Sequence, residues 1–172
     1  MTKFVTLIGL AAASALSLSA CSPQPNAQAT PAATDTAAQN VEEAGTHPIS
    51  GLAVIPLTIT TSKGTETFAV ELADTPTAQA RGLMFRTEMG DFEGMIFPSN
   101  PPQERGFWMK NTPLPLDIIY VGTDNRILNI HAMTTPYSLD SLLSNGVALG
   151  VLELRGGRSE ELGIEPGDLV EW

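Results

Sequence analysis

The chain has 172 residues, 42% of them hydrophobic, which suits one globular domain with extensions. Lys and Arg total 9 and Asp and Glu total 19, for a formal net charge of −10. That balance disfavours nucleic acid as a partner, because a phosphate backbone demands a basic patch. It equally disfavours adhesion to anionic lipid by charge alone. One cysteine, Cys21, and two histidines far apart, His47 and His131, argue against a disulfide framework, a thiolate nucleophile in the domain and zinc hydrolysis.

Residues 1–20 read as a secretory signal, with Lys3 in the positive region and a small apolar stretch from Phe4 to Leu18. The stretch is too short to favour a lasting membrane span. It ends in Leu18-Ser19-Ala20-Cys21, which resembles the bacterial lipobox. Small residues let the signal peptidase approach the backbone, and the thiol accepts a diacylglyceryl group. An ordinary secretion signal with an incidental cysteine is the alternative. Ser22, in place of aspartate, points by the same resemblance to an exported bacterial lipoprotein of the outer membrane, facing the periplasm. The membrane partner is then reached through Cys21. Residues 21–51 are rich in Ala, Thr, Gln and Pro and lack aromatics, so they read as a disordered tether with His47 solvated near its end.

Residues 52–172 read as a single mainly β domain. Val54 to Thr61 and Thr65 to Leu72 alternate apolar and polar residues, the period of a half-buried hairpin. Thr75 and Pro76 predict a short helix through Ala80 or Arg81, stopped by Gly82. Gly94 to Phe97 is an apolar run ended by Pro98, and Ser99 to Glu104 reads as a loop. Gly106 to Lys110 reads as a strand. Asp117 to Val121 and Arg126 to His131 read as a hairpin, and Thr134 to Asn145 as a long surface loop. Val147 to Leu154 is a strand, Ser159 to Leu162 a helical turn stopped by Gly163, and Asp168 to Trp172 the last strand. Many short strands with one real helix and a further helical turn predict a compact β-sandwich or barrel-like domain.

Several blocks carry a resemblance. They are Arg81-Gly82-Leu83-Met84-Phe85-Arg86, Gly94-Met95-Ile96-Phe97, Phe107-Trp108-Met109-Lys110-Asn111-Thr112, Leu116-Asp117, Val151-Leu152-Glu153-Leu154 and Leu162-Gly163-Ile164 with Pro166-Gly167-Asp168. In this order they resemble the "domain of unknown function 192" family, over roughly Val54 to Trp172. The resemblance implies a compact β-rich domain, frequently exported in bacteria, and brings no activity or catalytic residue with it.

Asp117 and Glu153 each lie at one end of an apolar stripe. A buried carboxylate needs a cation, backbone donors or solvent, and Arg81, Arg86 and Arg105 are available. Structural carboxylates that fasten loops are the plain expectation. An acid/base pair, as in glycoside cleavage, is the catalytic alternative. Trp108 either packs into the core or lines a groove for a sugar or peptide. Asn111 supports a turn before Pro113 or contributes to the same groove. Pro113 and Pro115 stiffen the segment. Met84, Met95, Met109 and His131 could bind Cu(I), but thioethers beside Leu, Ile and Phe are usually packing material. The reading is a non-catalytic envelope module, without a cofactor, that binds a small-molecule, glycan or peptide ligand through Arg81, Arg86, Trp108, Asn111 and Asp117. A hydrolase and an assembly protein are the alternatives.

Overall fold

The computed structural model describes residues 45–172. The signal segment, Cys21 and most of the tether lie outside the described residues. Seven strands and two short helices follow in order: β1 (Val54–Thr61), β2 (Gly64–Leu72), α1 (Pro76–Arg81), β3 (Glu93–Phe107), β4 (Leu116–Gly122), β5 (Ile127–His131), β6 (Leu142–Arg155), α2 (Arg158–Leu162) and β7 (Leu169–Glu171). The strands form one curled sheet in the order β5-β4-β6-β3-β2-β1-β7. An isolated bridge between Arg126 and Leu169 brings its two ends together. The barrel-like expectation is met by this half-barrel.

All pairings are antiparallel except β2 with β3, which α1 connects as a crossover. Local sequence sets α1. The Thr75 hydroxyl accepts from the Ala78 N–H at 3.1 Å, Pro76 takes the first turn, and the Gly82 N–H closes on the Ala78 carbonyl at 2.8 Å. Gly94 permits the close approach of β3 to β6, since a Cβ there would lie 2.7 Å from the Glu153 carbonyl oxygen.

Apolar residues pack on both faces of the sheet. The concave face gathers Leu57, Phe68, Ile96, Ile119, Leu152 and Val170, among others. The outer face carries Met95, Phe97, Ile118, Tyr120 and Val151, and Leu83 and Met109 cover it. Every residue of β4 is buried, which explains its nearly unbroken apolar run.

Three boundaries differ from the sequence reading. β3 continues through Ser99 to Glu104, and β6 begins at Leu142. Most of this extension is exposed, so no apolar period marks it, and a register shift between Pro98 and Gln103 accommodates the prolines. Trp108 to Thr112 forms a turn instead of prolonging a strand. Residues 46–53 fold back through a Thr46–Ala53 bridge, and the His47 ring lies 3.3 Å from Arg86 Nη1. His47 is therefore docked on the domain and not solvated in a tether. Among the described residues no helix is long and apolar enough to cross a membrane.

Candidate functional site

Strand register lines up a row of side chains across the outer face: Glu71 beside Met95, Met95 beside Glu153, Glu153 beside Ile118. The two acids of the row sit two strands apart, roughly 10 Å by ordinary spacing. Their surroundings differ sharply. Glu71 Oε1 accepts from Arg86 Nη2 at 2.7 Å, with both side chains buried. Glu153 has no such partner. It is 4% exposed, and burial pushes its carboxyl up to about 8 with no cation or donor among the described residues opposing the shift. Near neutral pH it therefore holds its proton in the folded protein.

Glu153 reaches the bottom of a cavity of about 120 Å³. The end of α1 forms one wall with Arg81, Gly82, Leu83 and Met84. The end of β3 and the following turn form the other with Arg105, Phe107, Trp108 and Lys110. Glu153 is the only acid in the lining, and the three cations are Arg81, Arg105 and Lys110. Arg105 is positioned by hydrogen bonds to Ser99 Oγ at 2.9 Å and Gln79 Oε1 at 3.3 Å, and its guanidinium lies 5.4 Å from the Phe107 ring centroid. Partial burial lowers its pKa. Lys110 Nζ lies 5.0 Å from the centroid of Trp108, which is 48% exposed. Trp108 is thus a surface aromatic at the mouth and not a core residue. Tyr120 backs the site. Its hydroxyl donates to the Leu142 carbonyl at 2.6 Å, and burial first, then the charge of Glu153, raises its pKa.

The proposed groove divides. Arg81 and Trp108 line the cavity, and Glu153, expected as half of a catalytic pair, joins them. Arg86 is committed to Glu71. Asn111 stands behind the wall in a left-handed conformation, φ 56°; its carbonyl accepts from the Phe85 N–H at 2.8 Å, and its amide lies 3.7 Å from Met84 Sδ. Asp117 faces the other side of the sheet, because it pairs with Leu154 while Glu153 pairs with Ile118. The acid/base pair expected of Asp117 and Glu153 is therefore corrected: alternating pleat places the two carboxyls on opposite faces. Asp117 instead accepts three backbone N–H groups, from Met133 at 2.8 Å, Gly157 at 2.9 Å and Ser159 at 2.7 Å. It caps α2, whose own cap residue Gly157 has no side chain.

The methionines are dispersed. Met95 and Met109 are fully buried in the outer core, with the Thr134 hydroxyl 3.2 Å from Met109 Sδ. Met84 is in the cavity wall, and His131 Nε2 lies 2.9 Å from the Leu143 carbonyl. Arg105, Lys110 and Phe107 carry more of the site than the sequence suggested. Arg105 was visible there only as an available partner for the acids.

Residues 58–172 match the DUF192 family model, whose description is "uncharacterized ACR". The chain belongs to the DUF192 family. The DUF192 domain is similar to a crystal structure of a protein of unknown function from Novosphingobium aromaticivorans. Identity is 52% and the TM-score 0.76, covering 77% of this chain and 94% of that one. It is also similar to a Sinorhizobium meliloti protein described provisionally as a transcription regulator. There, identity is 36% and the TM-score 0.67, covering 70% of this chain and 94% of that one. No curated protein matches the chain.

Two predictions follow from the carboxyls. Asp117→Ala orphans three backbone N–H groups, that of Ser159 buried and those of Met133 and Gly157 partly so, and is expected to cost about 3–5 kcal/mol in urea unfolding. A loss below about 1 kcal/mol would contradict the capping role. Glu153 binds its proton more tightly folded than unfolded. The stability this confers is present below the ordinary carboxyl value of 4.5 and is lost as pH rises toward about 8. At roughly 1.4 kcal/mol per pH unit, Glu153→Gln should cancel a few kcal/mol of that decline in Tm profiles; parallel profiles for the two proteins would refute it.

Proposed function

We propose that this DUF192 chain is a non-catalytic binding module of the bacterial envelope, held to a membrane through lipidated Cys21, and that it captures a small ligand between α1 and the Phe107–Thr112 segment. One observation carries the reading: a buried, unpartnered carboxyl at the base of a cavity with an exposed tryptophan at its mouth. Leaving such a group without a partner costs stability, and a ligand is what would make the arrangement worth keeping. The cavity volume of about 120 Å³ favours a small molecule, or the end group of a glycan or peptide, over an extended chain. The separation of Asp117 and Glu153 by the sheet weighs against a carboxylate-pair hydrolase. A net charge of −10 weighs against nucleic acid here, whatever the role of the Sinorhizobium relative.

Trp172→Phe leaves Trp108 as the sole tryptophan and gives a direct readout. Low-molecular-weight envelope extract should change its fluorescence saturably, and Arg81→Ala should weaken the response at least tenfold. A flat response, unaltered by Arg81→Ala, would end the binding reading. For the anchor, Cys21→Ala should move the protein from the membrane fraction to the soluble periplasmic fraction with its fold intact. An unchanged distribution would count against lipidation.

A further inference from the structure

The chemistry of the cavity narrows its ligand, and the argument rests on the binding reading above. The outer-face row contains two buried acids, and only Glu71 is given a guanidinium. Glu153 is left facing the cavity, where the lining cations Arg81, Arg105 and Lys110 belong to the end of α1 and to the end of β3 and its following turn. A neutral hydrogen-bonding floor could be built as well from glutamine, without the desolvation cost of a carboxyl. What a carboxyl adds is the ability to become an anion when a cation is delivered. The walls suit a cation too: Phe97, Phe107 and Trp108 present aromatic surface, and Met84 a polarisable thioether. The mouth asks for the opposite charge. Arg105 and Lys110 lie against aromatic rings, and among the described residues no carboxylate is hydrogen-bonded to either, so a negative group arriving there meets cations whose charge is not already neutralised.

We propose that the cavity binds a small amine that also carries an anionic group, its ammonium on Glu153 and its anion on Arg81, Arg105 and Lys110. The amino-acid and aminoalkyl phosphate classes both have this polarity. Binding is coupled to a proton. The free carboxyl of Glu153 gives its proton to solvent, and the resulting carboxylate pairs with the ammonium, which keeps its own. Burial holds the free group protonated up to about pH 8. Affinity should therefore rise as pH rises toward 8, approaching tenfold per unit, since the proton and the ammonium compete for one site. The other titratable groups facing Glu153 are Tyr120 from β4, Arg105 from β3, Arg81 from α1 and Lys110 from the turn. Tyr120 is shifted upward and titrates above this window.

The full chain is titrated with glycine, β-alanine, γ-aminobutyrate and 2-aminoethyl phosphate. Butyrate, inorganic phosphate and propylamine serve as one-armed controls. Carboxyl ¹³C NMR follows Glu153, and calorimetry in buffers of different ionisation heat counts protons. At least one two-armed probe should bind ten times more tightly than its controls, releasing close to one proton at pH 6.5. Glu153→Gln should abolish proton release and weaken binding at least tenfold. Arg105→Gln, a partly exposed substitution that keeps the test open if Glu153→Gln fails to fold, should weaken two-armed probes and leave propylamine unchanged.

Butyrate or phosphate binding as well as the two-armed probes, or affinity falling as pH rises, would overturn the proposal and leave a cavity for anions. Silence from every probe, with Trp108 still responding to envelope extract, would also overturn this ligand class while the binding module survives. Silence in both would remove the module reading as well.

Discussion

A carboxyl can leave water only if something replaces its hydration. The sheet buries three such groups and treats each differently. Asp117 receives three backbone N–H groups and holds the β5–β6 connection and the start of α2 against β4. Glu71 receives Arg86, with His47 alongside, and so fastens the leading segment to the outer face. Glu153 receives nothing from the described residues and keeps its proton. The first arrangement satisfies its carboxylate with backbone donors, and the second neutralises its charge, although Glu71 Oε2 has no hydrogen-bond partner among the described residues. The third is complete only with a proton or a ligand.

The cavity exists because of how the chain crosses the sheet. A parallel β2–β3 pairing requires a crossover, and α1 supplies it. Its exit at Gly82 comes within 3.5 Å of the Phe97 ring, counted from where a Cβ would stand, so the wall is set close to the outer core. The opposite wall is stiff for other reasons. Asn111 takes a left-handed conformation and its carbonyl accepts from the Phe85 N–H, while its neighbours Thr112 and Met109 exchange backbone hydrogen bonds with Tyr137 and Ser138. Pro113 and Pro115 restrict the residues before them. Arg105 is thereby held by its own strand and by Gln79 of α1, joining the two walls.

Most strands were legible because their apolar alternation reflects burial on one face, and α1 because Thr75, Pro76 and Gly82 carry its start and stop. The extension of β3 was not, since exposed strands supported only by pairing leave no period in the residues. Sheet order was equally hidden, and with it the fact that Asp117 and Glu153 face opposite ways: each strand announces its own alternation but not which face meets which. Trp108 was ambiguous for a related reason. Its size suits a core, and only the turn that follows β3 carries it outward. The sequence offered Glu153 as a companion of Asp117, and the strand register separates the two, because partners distant in sequence are chosen by register.

The joining of the two ends of the sheet has a bearing on how copies of the molecule meet. β5 and β7 are short, and their facing backbone groups are taken up by bonds such as Ile127 N–H to the Asp168 carbonyl and Val170 N–H to the Asn125 carbonyl. Asn129 further bonds the Asn145 N–H and the Leu143 carbonyl, drawing the β6 extension over β5. Rows of unpaired strand groups are the usual template for edge-to-edge aggregation. Proteins crowded on a surface encounter one another often, and a sheet that has turned its margins toward each other leaves its neighbours little ladder to extend.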